Sequence, residues 1–529
     1  MNTLATIRTL IDERASRYPD KPFLLAAPEG ELYAAAVADA AEASAIAARA
    51  GRPMMQAALQ GAAGNPSHAA WHSAAIAGEQ ETSAATGREP AQSLSFGALQ
   101  ADCRALETRF REAGLQPGDV ISVYMSNGIQ TARILLAAMY AGLVAHPLNL
   151  LCQPSQLRYI VEHADTKMIF VCEDTHAAIA NTLDELRAQG LERRIAMVHT
   201  EPDARGLPDW PRAATDDMAA GNEAQTAPRT APRAPSGDDV ALLMYTSGTT
   251  GAPKGVLLTH RNLLANAANI SAEHRLGTDD RVLASLPLYH INGLVVTLLT
   301  PLFHGGSVVM PPRFSARTFW RDAAHYGCTW VNVVPTIVAY LLNCEEPCAF
   351  DLSALKFCRS ASAALPAEHH RAFETRFGIG VIETMGMTET AAPVFSNPFE
   401  PARRRVGSIG LPSGSEAKVI DRDGRECAPG ECGELVLRGA QIMSGYYKMP
   451  KETAAAFTTD GWLRTGDLGY CDTDGYFYIN GRAKELIIKG GENIAPREID
   501  EALLKHAGVL DAAAVGVPDP AYGQDIVAF

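Results

Sequence analysis

The sequence predicts an α/β fold: a large N-terminal domain of mixed, mostly parallel sheets flanked by helices, then a small α+β C-terminal domain. Three observations carry this. Short apolar strand candidates alternate with helix candidates along most of the chain, the pattern that builds parallel sheets. The apolar stretch VALLMYTSG, residues 240–248, runs straight into a loop rich in Gly, Ser and Thr. The chain has 529 residues, 47% of them hydrophobic, enough for more than one core.

In chain order, MNTLATIRTLIDERASRYPD predicts an amphipathic helix, with Leu4, Ile7, Leu10 and Ile11 at helical spacing. It lacks the unbroken apolar core of a signal peptide. An alanine-rich segment at about 34–93 follows and predicts an inserted surface element. VISVYMS at 120–126 predicts a strand, TARILLAAMYAGLV at 131–144 a helix, and KMIFVCE at 167–173 a second strand. The stretch at about 201–238 carries Pro208, Pro211, Pro228, Pro232 and Pro235 and predicts an irregular connection. Further on, LVLRG, WLRTGDLGY and YFYINGRAKELIIKGG predict short strands joined by turns. The longest apolar stretch, near Leu294–Phe303, is too short and interrupted to span a bilayer.

A net charge of −14 argues against nucleic acid or an anionic membrane as the main partner. Ten cysteines are scattered, and neither Cys344/Cys348 nor Cys427/Cys432 forms a paired zinc framework. Reduced thiols in a cytoplasmic protein are the expectation.

The loop YTSGTTGAPKG, 245–255, concentrates glycines, hydroxyls and Lys254 at the end of a strand. Glycines let backbone N–H groups close on an anion, and hydroxyls and a lysine add donors and charge, a combination suited to a polyphosphate. It is not a Walker A loop, because Pro253 and Gly255 flank the lysine.

This loop, with VLLTHRNL after it, resembles the signature of the AMP-forming adenylating enzymes: acyl-CoA synthetases, carrier-loading adenylation domains and firefly-type luciferases. PLYHINGL at 287–294, MGMTE at 385–389, RTGDLGY at 464–470 and GRAKELIIKGGENIAPREID at 481–500 fit the same family in order. The resemblance implies a large domain over 1–480, a partial C-terminal domain over 481–529, and a hinge at Lys484. It implies an ATP-dependent ligase using Mg²⁺ and CoA, in which a carboxylate is adenylated and then passed to a thiol.

Residue by residue, it implies that Thr246, Ser247, Gly248, Thr249, Thr250, Gly251 and Lys254 cradle the β- and γ-phosphates. Thr388 would contact the α-phosphate and Glu389 the magnesium ion; without the resemblance this pair reads equally as a helix cap. Asp467 would hold the ribose diol, or be an ordinary turn aspartate, and Arg482 would assist it. Lys489, Gly490 and Gly491 would line the path of CoA. Met385, before Gly386, stands where the family has an aromatic residue against adenine, and a thioether can still cover a ring.

A second departure concerns a lysine that the family carries near its C-terminus, past the point where this sequence stops. No residue here matches it, so the chain as given is expected to be weak in adenylation but able to form thioester from a supplied acyl-adenylate.

The acyl pocket is implied near His290, Asn332–Thr336, the stretch RSASAAL at 359–365 (Ser360 included), and Met385. The overall look is that of ligases for small acids with a second anion: sulfoacetate, malonate or oxalate. Oxalate is the weakest of these, since Ala392 and Asn292 replace histidines usual in oxalyl-CoA synthetases. His290 reads as a substrate contact or a core histidine bonded to backbone, and Arg359 as a partner for the second anion or a surface ion pair. Medium-chain or aryl acid ligation, carrier loading, and a nucleotide-binding remnant stay as alternatives.

Overall fold

The computed structural model describes residues 5–26, 92–190, 194–210, 233–246, 252–344, 350–489, 492–504, 506, 508–509, 512–519 and 522–529. Leu4, most of the alanine-rich segment, residues 211–232, Cys348, the loop residues Ser247, Gly248, Thr249, Thr250 and Gly251, and Gly490 and Gly491 lie outside them.

Two large sheets dominate. In the seven-stranded sheet, Val120–Tyr124 pairs in parallel with Val144–Pro147 and Met168–Val171, and Val240–Thr246 extends the parallel run. Its far side turns antiparallel: Lys254–Thr259 folds back on Val240–Thr246, and the short strand Gly445–Tyr446 adds to it. The nine-stranded sheet has a parallel centre, with Arg281–Leu283, Trp330–Val333, Phe357–Ser360 and Val381–Met387 side by side. Ala392–Ser396 then returns antiparallel. Mostly parallel sheets flanked by helices are the predicted class.

One apolar core joins the two sheets. It contains Ile121 and Val123 from one, Val308 and Trp330 from the other, and Leu135, Leu263 and Leu298 from helices. All twelve residues of helix Ile129–Tyr140 are buried; nine are apolar, and Gln130, Thr131 and Arg133 are partnered by Thr200, the Ser126 carbonyl and Asp102. The sequence places this helix at 131–144. It stops earlier because the chain reverses at Gly142, with φ +77°, and Val144 opens a strand. The N-terminal helix, Ile7–Arg17, buries Ile7, Leu10 and Ile11 as its spacing predicts.

Past residue 410 the described strands are antiparallel. Glu416–Ile420, Gly433–Arg438, Leu463–Cys471 and Phe477–Arg482 form one four-stranded sheet. Ile487–Lys489, Glu492–Ile494, Ala514–Asp519 and Gly523–Ala528 form another, beside the helix Pro496–Leu503.

Candidate active site

The strands that flank the glycine-rich loop, Val240–Thr246 and Lys254–Thr259, pair antiparallel. Thr246 and Lys254, the facing ends of these strands, are direct cross-strand partners. From there the Lys254 ammonium reaches the face of Tyr446, 4.8 Å from the ring centroid. The Tyr446 hydroxyl donates to Glu389 Oε1 at 2.8 Å. Burial and the neighbouring Glu389 carboxylate push the phenol pKa well up, so the proton stays on tyrosine. Thus Lys254, Tyr446 and Glu389, from three separate stretches, share one site. Tyr446 was not read from the sequence; it arrives because Gly445–Tyr446 pairs with Val256 and Leu257, next to Lys254.

Thr388 and Glu389 open a three-residue 3₁₀ turn rather than capping an α-helix. Behind it the chain takes a sharp corner, with Ala391 and Ala392 at φ +52° and +91°. Two consecutive non-glycine residues in that region are strained and need support. Thr390 Oγ1 accepts from the Met387 N–H at 2.9 Å and lies 2.7 Å from the Ala392 carbonyl. Asn266 donates to the carbonyls of Thr390 and Ala391 at 3.0 and 2.7 Å. One helical turn earlier, Asn262 donates to the carbonyls of Ala440 and Ile442, both at 2.8 Å. Both asparagines lie on helix His260–Glu273, with Thr259 as its cap. This helix, which starts after strand Lys254–Thr259, supports the Thr388–Glu389 corner. Two asparagines four apart on a buried stripe were the available signal. Gly386 is small for a reason: a Cβ there would sit 2.1 Å from the Ala392 carbonyl oxygen. Met385 packs toward the cluster that holds Phe395 and Phe477.

Asp467 lies in strand Leu463–Cys471, opposite Arg482 on the next strand, not in a free turn. Arg482 Nε donates to its Oδ1 at 2.8 Å. Oδ2 is buried and has no partner among the described residues. Desolvation raises the Asp467 pKa, opposed by Arg482; Glu389 is near enough to add to the rise. Lys484 is exposed, two residues past the strand that ends at Arg482. Lys489 pairs with Asp525 at 2.5 Å inside the last sheet.

The acyl-pocket candidates divide. His290 opens to solvent, yet surrounding protein pushes its imidazole pKa down to about 4, the combination of a recess wall. It is not a core histidine. Arg359 is the opposite: 1% exposed, with no carboxylate partner among the described residues, so the surface ion-pair reading is corrected. Its Nη1 donates to Asn292 Oδ1 at 2.9 Å and Asn332 Oδ1 at 2.6 Å. Burial lowers its pKa to about 9, still charged at neutral pH. Ser360 alternates to the other face of the strand, and its buried hydroxyl has no partner among the described residues. Ser362 joins the arginine network instead, accepting from Asn292 at 3.0 Å. Asn292 heads the eight-residue π-helix Asn292–Leu299, a rare form that concentrates at functional sites.

Residues 71–447 match the model of the AMP-binding enzyme family. The chain belongs to the AMP-binding enzyme family. It is 64% identical to the sulfoacetate–CoA ligase of Cupriavidus necator over 436 residues, 82% of each chain. It is 35% identical to the oxalate–CoA ligase of Arabidopsis thaliana over 433 residues, 80% of each. The crystal structure of ATP-bound MatB from Rhodopseudomonas palustris superposes with a TM-score of 0.71 at 32% identity, covering 83% of both chains. Within the AMP-binding enzymes this protein is an AMP-forming acid–CoA ligase, with ATP and CoA as substrates. No helix among the described residues is long and apolar enough to cross a membrane.

Proposed function

We propose that this ligase joins sulfoacetate to CoA. The observation that carries the reading is the 64% identity to a sulfoacetate–CoA ligase, sustained over 82% of both chains. The sulfoacetate carboxylate attacks the α-phosphorus of ATP and diphosphate leaves. The CoA thiolate then attacks the acyl carbon, AMP leaves, and the thioester remains.

The site residues take the following roles. Thr246, Lys254 and the loop between them bind the β- and γ-phosphates. The Tyr446 ring steadies Lys254, and Thr388 contacts the α-phosphate. Asp467 binds the ribose: a buried carboxylate oxygen without a partner among the described residues suits a diol hydroxyl. Arg482 orients that carboxylate, and Met385 covers adenine. Lys484 is the hinge, and Lys489 with Gly490 and Gly491 borders the path of CoA.

Magnesium fits Glu389. Among the described residues no three His, Cys, Asp or Glu side chains gather to hold a metal alone. A hard ion bound by one carboxylate, phosphate oxygens and water is the usual magnesium arrangement beside nucleotides. A magnesium ion held by Glu389 would supply positive charge beside the phosphates.

The test is mass-spectrometric detection of thioester and AMP from sulfoacetate, malonate, oxalate, acetate, a medium-chain acid and an aryl acid, each with ATP, Mg²⁺ and CoA. Sulfoacetyl-CoA with equimolar AMP is the expected result, and where adenylation is slow, sulfoacetyl-adenylate supplied with CoA gives the same thioester. Thioester from another acid with none from sulfoacetate overturns the reading.

A further inference from the structure

A guanidinium buried without a carboxylate is costly, and proteins rarely leave one so. Arg359 is held by two neutral amides instead. Both bonds use Nη1. Among the described residues Nε is buried with no partner and Nη2 forms no hydrogen bond. Nε and Nη2 share one edge of the planar group, the edge that grips two oxygens of an acid at once. The edge suited to a bidentate anion is therefore the free one.

The amides are themselves fixed. Asn332 donates to Asn292 Oδ1 at 3.2 Å, and Asn292 donates to Ser362 Oγ at 3.0 Å. Their oxygens are thus left to face the arginine. The chain of bonds starts at Ser362, which is exposed and held at φ +76°, and Asn292 follows His290 of the recess by two residues. Neutral holders matter: a carboxylate in place of either amide would already satisfy the charge.

We propose that Arg359 is the specificity-determining residue of the acyl site, its free Nε/Nη2 edge receiving the second anionic group of the acid while Asn292 and Asn332 hold it in aim. The ligand is an acid with a sulfonate, or failing that a carboxylate, one short spacer from the reacting carboxylate. This rests on the reading of the protein as a ligase for such acids.

The test uses the full chain and two variants, Arg359→Met and Asn332→Asp. The second is nearly isosteric and supplies an internal counterion, so it remains informative where the first fails to fold. For each, kcat/KM is measured with sulfoacetate, malonate and propionate. In both variants the ratio of sulfoacetate to propionate falls by about 100-fold or more, the scale of losing one partner of a buried charge pair. A ratio that stays put, or equal losses on all acids, overturns the proposal. If the wild type prefers malonate to sulfoacetate, the sulfoacetate reading fails, and collapse of the malonate-to-propionate ratio in the variants still supports Arg359. A wild type indifferent to the second anion overturns Arg359 itself.

Discussion

The phenol of Tyr446 bridges two site groups, donating to Glu389 Oε1 at 2.8 Å while its ring lies 4.8 Å below the Lys254 ammonium. The hydroxyl and the ring do separate jobs, so substitutions can separate them. Tyr446→Phe keeps the ring over which Lys254 sits and removes the hydrogen bond to a carboxylate. Such bonds contribute about 1.5–3 kcal/mol, so kcat/KM for ATP falls by roughly 10- to 100-fold. Tyr446→Ala falls further. Equal rates for wild type and the phenylalanine variant would show that the Glu389 contact is idle.

Asn266 supports the strained corner that carries Thr388 and Glu389. Asn266→Ala removes donors from two buried carbonyls and destabilises the protein by about 1–3 kcal/mol. Urea denaturation reads this as a lower midpoint with an unchanged slope. Because the corner loosens, kcat drops as well. Full activity at unchanged stability contradicts the corner's dependence on this helix.

Asp467 offers a buried oxygen with no partner among the described residues. Asp467→Asn keeps the shape but changes what that position accepts, and KM for ATP rises roughly tenfold or more while KM for the acid moves little. Arg482 is half-exposed, so the lost ion pair costs little stability. Steady-state kinetics with each substrate varied in turn decides; a rise confined to the acid's KM removes Asp467 from the nucleotide site.

Among the buried histidines, His146, His260 and His274 are held in their neutral form. Burial pushes His146 and His274 down to about 3 and His260 to about 4. The backbone N–H of Ile7 donates to His260 Nδ1, which only an unprotonated nitrogen accepts. The unfolded chain protonates these rings near pH 6.5 and the folded chain does not. Stability is therefore full above about pH 6.5 and declines as pH falls toward 4. The slope is about 1.4 kcal/mol per pH unit for each ring, up to about 4 for the three. Chemical denaturation between pH 7.5 and 5 measures it. A flat profile means these rings are not neutral in the fold.

Much of this protein was legible from local pattern. The strand 240–246 and the glycine-rich loop that follows it were read from an apolar run and glycine chemistry, both set by near neighbours, whereas the returning strand Lys254–Thr259 and the helix His260–Glu273 were not. The roles expected of Lys254, Glu389 and Asp467 rested on ordered motifs, and the fold sets Lys254 and Glu389 around Tyr446 and gives Asp467 its partner Arg482.

What tertiary structure alone decided is which polar side chains meet and which stay unpaired. Tyr446 is 57 residues from Glu389, Arg359 is 67 from Asn292, and Asn266 is 124 from Thr390. Nothing in the local sequence of Arg359 separates a surface ion pair from a buried cation. The parallel register that sets Asn332 beside Arg359 makes the difference. Sequence determines propensity through neighbours a few residues away, whereas burial and charge pairing depend on strands brought together across the whole sheet.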